Sequence, residues 1–441
     1  MLKYIGLKRE RMLNMTSPFS KFYNKTREQR LALLLELNLI DKTDYNQLIS
    51  GLHLPNDIAD NMIENQLATY DLPYGLAVNF LIDGVDYAIP MAVEEPSVVA
   101  AASNAAKIIK KNGGFTTQTD ERLMTGQIAF EKNQLNFDDV KEVVSDHKEN
   151  ILNIANAAHP SMLKRGGGAK DAYVRHVEDD ETRNFIVIHL SVDTKEAMGA
   201  NSINTMLEAV TPYLEDLIGQ KSLMSILSNL TTNSLSTAKV SIKPSDLATG
   251  DHSGEDIRDQ IVLANDFAKA DPYRATTHNK GVMNGIDAVV MASGNDWRAI
   301  AAGAHAYASR SGKYRSMTEW VVGDNGNLEG SLTLPMPVGT VGGSIKLHPM
   351  AKMTHKILGN PDAKTLEGII LSVGLAQNLG AIKALVSDGI QKGHMSLQAR
   401  TLAVLAGATS DQVENVVEQL LNAEHLNSET AQEIVNNLNK V

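Results

Sequence analysis

A few polar residues stand where their type and setting could do chemistry. In VEEPSVVAAASNAAKI (residues 93–108), Glu94 and Glu95 precede a proline and a run of very small side chains. Proline is at home in a helix's first turn, so Pro96 predicts a helix start with Glu95 at or beside its N-cap, where the helix dipole favours negative charge. The pair is either an acidic helix start or a carboxylate at the mouth of a helix whose Ala100, Ala101, Ala102, Ser103 and Ala105 let a backbone or a ligand come close. Lys280, in DPYRATTHNKGVMNG (271–285), lies between Asn279 and Gly281; its ammonium serves a pocket or is a solvated loop lysine. Asp296, in SGNDWRAIAAGAHAYA (293–308), opens another small-residue helix, where capping is the default role of an aspartate. His394 follows a glycine at a helix start in QKGHMSLQAR (391–400) and reads by default as a polar surface histidine. The stretch DTKEAMGANSINT (193–205) enters a helix through Gly199, Ala200 and Asn201, an anion-binding N-terminus without the usual glycine spacing. Together these residues point to an enzyme and name no reaction.

Composition narrows the classes. The 441 residues predict two or three domains with ample length for a core. With 43% hydrophobic and 21% charged residues the chain is ordinarily globular. A net charge of −11, with Lys and Arg interspersed, leaves no broad basic footprint for nucleic acid, so an anionic ligand needs a local basic pocket. The absence of cysteine excludes disulfides, thiolate nucleophiles and iron–sulfur ligation, and fits a reducing cytosol. The first fourteen residues, MLKYIGLKRERMLN, lack the apolar core of a signal peptide, Met15 reads as an alternative start, and no stretch approaches the ~20 apolar residues that span a bilayer. The expectation is a soluble, cytoplasmic protein with no membrane partner. No G-x-G-x-x-G, P-loop or HExxH is found, and no metal is expected.

The elements that must position these residues follow from local signals. Thr26 and Gln29 have capping-box spacing. LPNDIADNMIENQLATYDLP reads as a further helix, and Asp83-Gly84 marks a hairpin within YGLAVNFLIDGVDYAIPMAV. From about residue 120 the order strand, helix, strand, strand, helix, strand predicts a ferredoxin-like unit inserted into a larger mixed α/β body. The fold class is therefore α+β, divided as 1–119 with 231–388, an insert at 120–230, and C-terminal helices over 389–441 that serve as core packing or a movable lid.

Taken in order, MIEN, VEEPSVVAAAS, NGGFTT, EAMGAN, DPYRATTHNKGVMNG, SGNDWRA, PMPVGTVGG, GLAQNLGA and GHM resemble the soluble, class II hydroxymethylglutaryl-CoA reductases of bacteria and archaea, over SKFYNK to EQLLN. The resemblance implies a mevalonate-pathway oxidoreductase that takes a thioester to an alcohol in two hydride transfers, through a hemithioacetal and an aldehyde, releasing coenzyme A. It implies that Lys280 sits on the thioester carbonyl oxygen, that Asp296 holds Lys280 charged and aimed, and that Glu95, its pKa raised by burial near Asp296, donates a proton. His394 would protonate the departing CoA thiolate, and the acyl-CoA ligand is then what comes close to the small-residue helix.

The same resemblance has Ser97, Arg274 and Asn284 gripping the hydroxymethylglutaryl part, with Gln377 and Asn378 near the acyl-CoA pocket. Tyr23 stands where other members carry an arginine for the CoA phosphate. The insert would bind the nicotinamide cofactor through Met198, Gly199, Asn201 and Asn229, with Glu196 replacing the family's usual aspartate. His159 stands about where NAD-using members carry an acidic residue, with Lys164 and Arg165 just beyond, so NADPH is expected and NADH is the alternative. A homodimer with active sites at the subunit boundary is implied, MIENQLA lying near it, as is a C-terminal flap that delivers His394. Two other readings remain at this point: the same enzyme running oxidatively on mevalonate with NAD, and a CoA-thioester-binding or hydrolytic protein without redox function.

Overall fold

The computed structural model describes residues 17–179, 183–387, 389–409 and 411–439, and only the backbone of 390–397. It is an α+β structure with three sheets among the described residues. Strands β1 (Tyr74–Ile82) and β2 (Val85–Ala92) form the expected hairpin, closed by Asp83 and Gly84 at φ 48° and 79°. Both turn residues lie in the left-handed region that a two-residue hairpin demands. The second sheet has the order β3 (Thr116–Thr119), β8 (Leu235–Ile242), β10 (Leu328–Pro335), β9 (Thr318–Val322), all antiparallel. The third has the order β5 (Gly168–Val177), β6 (Phe185–Asp193), β4 (Leu123–Glu131), β7 (Met224–Ser228), also antiparallel.

Each larger sheet has its own apolar core. The third sheet and the Ala200–Ile218 helix bury Ile128, Phe130, Ile188, Leu190, Met206 and Leu207 together. The single helix expected over 136–158 is two, Phe137–Asp146 and Lys148–Ala158, separated by His147, and a short third, Pro160–Lys164, precedes β5. The main core surrounds the Ala363–Leu385 helix, whose residues from Gly368 to Leu379 are all buried. By length and mean hydropathy (1.4) this helix passes for a membrane span, contrary to the expectation that no segment would. It is the core helix, and most of its apolar stretch is buried in protein. Its close neighbour is the Pro272–Ala292 helix, and glycine permits the approach: a Cβ on Gly285 would sit 3.0 Å from both Gln377 Cβ and the Val373 carbonyl oxygen.

Two expectations fail for physical reasons. The helix over 54–73 shrinks to Asn56–Asp60, because Ile63, Leu67 and Tyr70 find nothing to pack against; Leu67 is 98% exposed. The small-residue face of the Val98–Lys111 helix is largely filled by protein, with Ala100 left exposed. Ala102, Ala105 and Ala106 are in the core, Ser103 Oγ receives the Val78 N–H, and a Cβ on Gly380 would lie 3.2 Å from the Ala101 carbonyl oxygen.

One buried ion pair joins the bodies. Glu367, fully buried in the core helix, accepts from Arg122 Nε at 2.6 Å and from Ser236 Oγ at 2.6 Å, and Arg122 also donates to the Val338 carbonyl. Burial pushes the Glu367 carboxyl up, and Arg122 and Ser236 oppose that. Removing Arg122 would strand a buried carboxylate. Arg122→Ala is expected to lose about 3–5 kcal/mol of stability, most of it recovered when Glu367→Leu is added. Urea unfolding checks this, and an unchanged midpoint for Arg122→Ala would contradict it.

Candidate active site

The lysine sits on a helix and not in a loop. Asp271 caps the Pro272–Ala292 helix by accepting from the Arg274 N–H at 2.9 Å, and Pro272 occupies its first turn. Lys280 follows two turns later with a largely exposed side chain. Glu95 comes from the loop after β2. Pro96 does not open the next helix: Ser97 stands at its N-cap with φ 72°, and the helix begins at Val98. The left-handed serine turns the chain, and Lys280 Nζ donates to Glu95 Oε2 at 2.6 Å. Asn284, one turn on, places Nδ2 3.4 Å from the same oxygen.

Groups suited to a ligand lie in these elements and in the core helix packed on them. Ser97 Oγ is buried without a hydrogen-bond partner among the described residues, as is Gln377 Oε1. Arg274 is half-buried, and that burial lowers its pKa, so an anion would be a welcome partner for it. Asn378, expected beside them, is 2% exposed and spends its amide on Thr318, Trp320 and His278.

Asp296 stands elsewhere. Its Oδ1 accepts from the Arg298 and Ala299 N–H groups, capping the Trp297–Ala308 helix, with Arg298 Nε at 3.5 Å. Among the described residues no hydrogen bond or ion pair joins it to Lys280, and Glu95, about a third exposed, pairs with Lys280 and not with Asp296. Its neighbour Asn295 was not foreseen. The Asn295 amide donates to the Gly339 carbonyl at 3.0 Å and accepts from the Gly339 N–H at 2.7 Å. That loop in turn meets the insert: Thr340 Oγ1 donates to Glu196 Oε2 at 2.7 Å, and the Thr340 and Val341 N–H groups donate to the Glu196 carbonyl. The Glu196 carboxylate also accepts from the Ala363 N–H at 2.9 Å, so its work is to join three segments.

Beyond Glu196, Met198 leads to Gly199 (φ 91°), which opens the Ala200–Ile218 helix with no side-chain cap. A Cβ on Gly199 would lie 2.3 Å from Thr194 Cγ2. Asn201 is exposed, and His159 Nε2 lies 3.0 Å from Ser202 Oγ. An uncapped end of a 19-residue helix, with exposed Lys164 and Arg165 on the segment that carries His159, fits the phosphates of a nucleotide. Asn229 is exposed and its carbonyl packs on the Trp297–Ala308 helix, where a Cβ on Gly303 would lie 2.5 Å from it. Tyr23 is 78% exposed. His394 lies on the Ile390–Leu405 helix, and its side chain is outside the described residues. A separate cleft of about 370 Å³, lined by Lys269, Arg310, Arg315 and Ser316, holds none of these residues.

An ammonium aimed by a carboxylate, with an orphaned hydroxyl and a half-buried guanidinium on the same two segments, is equipment for polarising a carbonyl in an anionic substrate. Fold and site thus define an α+β enzyme of carbonyl chemistry. A family model for hydroxymethylglutaryl-coenzyme A reductase matches residues 26–399. The 3-hydroxy-3-methylglutaryl-coenzyme A reductase of Archaeoglobus fulgidus is 45% identical over 424 residues, covering 96% of this chain and 95% of the relative. A probable enzyme of the same name from Borreliella burgdorferi is 33% identical, covering 78% of each chain. The solved class II enzyme of Streptococcus pneumoniae, bound to NADPH in open conformations, is 48% identical with TM-score 0.80, covering 94% of this chain and 100% of that one. The chain belongs to the hydroxymethylglutaryl-CoA reductase family, and the expected α+β fold and reductase activity both stand.

One group on the Lys280 helix was missed. Asp287, seven residues on from Lys280, keeps Oδ1 buried without a partner among the described residues, and burial pushes its pKa from 3.8 up to about 6. Between those values the folded chain holds a proton the unfolded chain has released, so this group's contribution to stability falls as pH rises through the window and stays low above it. Asp287→Asn is expected to raise the melting temperature by about 2 °C near neutral pH and to leave it unchanged near pH ~4. Equal shifts at both pH values would contradict the burial account.

Proposed function

We propose that the chain reduces hydroxymethylglutaryl-CoA to mevalonate with NADPH, Lys280 and Glu95 working on the carbonyl. The 2.6 Å contact between Lys280 Nζ and Glu95 Oε2 is the observation that carries this reading. NADPH, when bound at the Gly199 helix start, supplies the hydride for each reduction. Lys280 donates a hydrogen bond to the thioester oxygen and stabilises the negative charge that grows there. Glu95 supplies the proton that turns the final alkoxide into an alcohol, and its contact with Lys280 gives that proton a short route. Ser97, Arg274 and Asn284 hold the hydroxymethylglutaryl carboxylate and hydroxyl, and Gln377 faces the acyl chain. Asp296, which does not reach Lys280 within one chain, joins the site from the second copy of the homodimer proposed below. His394 protonates the thiolate as the hemithioacetal collapses, so that CoA leaves as a thiol and cannot re-add to the aldehyde.

The division of labour follows the sheets. Residues 120–230 carry the cofactor, 1–119 with 231–388 carry the acyl-CoA, and 389–441 form a flap that closes over both. The exposed Met62, Ile63, Leu67 and Tyr70 support a homodimer, since so many large apolar side chains along one irregular segment favour a second copy as their cover. A chain without cysteine suits a reducing compartment, and a cytoplasmic location is part of the same proposal.

Following cofactor absorbance with hydroxymethylglutaryl-CoA tests the function. Two NADPH should be consumed per CoA released, and NADH should be the poorer donor because Lys164 and Arg165 suit a 2′-phosphate. Better efficiency with NADH would favour the oxidative direction, and no turnover with either would leave only thioester binding. His394→Gln should lose ~10²–10⁴ in thioester reduction while mevaldehyde reduction survives far better, because only the first needs a protonated leaving group. Equal losses in the two assays would contradict the leaving-group role.

A further inference from the structure

Behind Lys280 its helix turns a polar face into the core. His278, two residues before the lysine, is 2% exposed. Its Nε2 lies 2.7 Å from Thr318 Oγ1, 2.9 Å from Ser316 Oγ and 3.1 Å from Asn378 Nδ2. Bond directions can be worked out from one end of this cluster. An indole N–H only donates, and Trp320 Nε1 lies 2.8 Å from Asn378 Oδ1. That pins the amide with its oxygen toward Trp320 and its nitrogen toward His278. An amide NH₂ also only donates, so His278 Nε2 is an acceptor. The ring's proton then resides on Nδ1, a buried atom with no hydrogen-bond partner among the described residues. Protonating Nε2 as well would set donor against donor. Burial, with the Arg274 charge one turn away, disfavours the cation further and pushes the imidazole down to about 4.

The next residue is clamped as well. Asn279 Nδ2 donates to the Arg315 carbonyl at 2.8 Å, and its Oδ1 accepts from the Met317 N–H at 2.9 Å. Two consecutive side chains thus fasten this turn to residues 315–318, and the tight packing of Gly285 on Gln377 fixes the turn that follows.

We propose that His278 is a positioning residue for the reduction: a neutral imidazole, protonated at Nδ1, that with Asn378 and Trp320 behind it sets where Lys280 stands. It touches no substrate and exchanges no proton with one. The proposal rests on Lys280 being the group on the carbonyl; if that assignment fails, Lys280→Ala stays active, whereas failure of the proposal leaves Lys280 essential and His278 dispensable.

The test compares His278→Leu, which removes the acceptor, with His278→Gln, which can offer an amide oxygen near the Nε2 position. His278→Leu should lose about 10–100-fold in kcat for hydroxymethylglutaryl-CoA, with KM within about twofold, since a displaced catalytic group costs rate more than binding. Mevaldehyde reduction should fall by the same factor, because Lys280 serves both steps. His278→Gln should recover most of the loss, and the pH profile of kcat/KM should keep its shape in both. Trp320→Phe removes only the donor that pins Asn378. It should cost about threefold or more in kcat without moving KM, and it decides the matter if His278→Leu does not fold. A folded His278→Leu with parental kcat, a pH profile that loses an ionisation in His278→Gln, or a parental kcat for Trp320→Phe would each overturn the proposal.

Discussion

The structure depends on a charge that has no water. Glu367 lies fully buried in the core helix, and an ionised carboxylate there is tolerable only with Arg122 and Ser236 on its oxygens. The position of Arg122 makes the pair architectural as well as compensatory. It stands one residue before β4, the strand that opens the third sheet, and also holds the Val338 carbonyl. From Val338 the contacts run outward: Gly339 to Asn295, beside Asp296, and Thr340 to Glu196, beside the Gly199 helix start. One buried pair therefore underlies the register between the segment proposed to hold the cofactor and the segment proposed to hold the acyl group. An enzyme that must bring two ligands together has reason to bury that connection, where salt and solvent do not weaken it.

The candidate site is built differently. Lys280 and Glu95 are both solvent-accessible, and their pairing by itself contributes little to stability. What holds them is the backbone behind each: a left-handed serine on one side, and on the other a helix clamped by His278, Asn279 and Gly285. The charges stay available to a substrate while their attachment points are fixed. Asp296 does not reach Lys280 in the single chain, and large apolar side chains between Met62 and Tyr70 stand in solvent. On the proposed homodimer these are one fact, a site finished only where two chains meet.

How much of this was legible in the sequence depended on how local the cause was. The Asp83-Gly84 hairpin and the Thr26 capping box are set within a few residues, and both are present. The strand and helix order of the third sheet could be read because each element carries its own apolar period. Lys280 looked like a loop residue because glycines and polar residues crowd its segment, although Asp271-Pro272 is a helix-start signal that was there to be used. The Val98–Lys111 helix misled for the opposite reason. Its small residues do mark a close approach, but only the packed structure shows that the visitor is the core helix at Gly380. Asn295 and the His278 network gave no signal at all, since their partners lie tens of residues away or more, and Asp287 gave none because only the packed core buries it. The helix expected over 54–73 had the right residues and no surface in this chain to bury them on.

The central claim is that Lys280, aimed by Glu95, carries the negative charge of the reacting carbonyl. The most direct measurement is kcat for Lys280→Ala on hydroxymethylglutaryl-CoA and on mevaldehyde, with a melting curve on the same preparation. Loss of the ammonium should lower both rates by ~10²–10³ at an essentially unchanged melting temperature, because the group is exposed and serves the transition state of each step. A folded variant that turned over either substrate at the parental rate would contradict it.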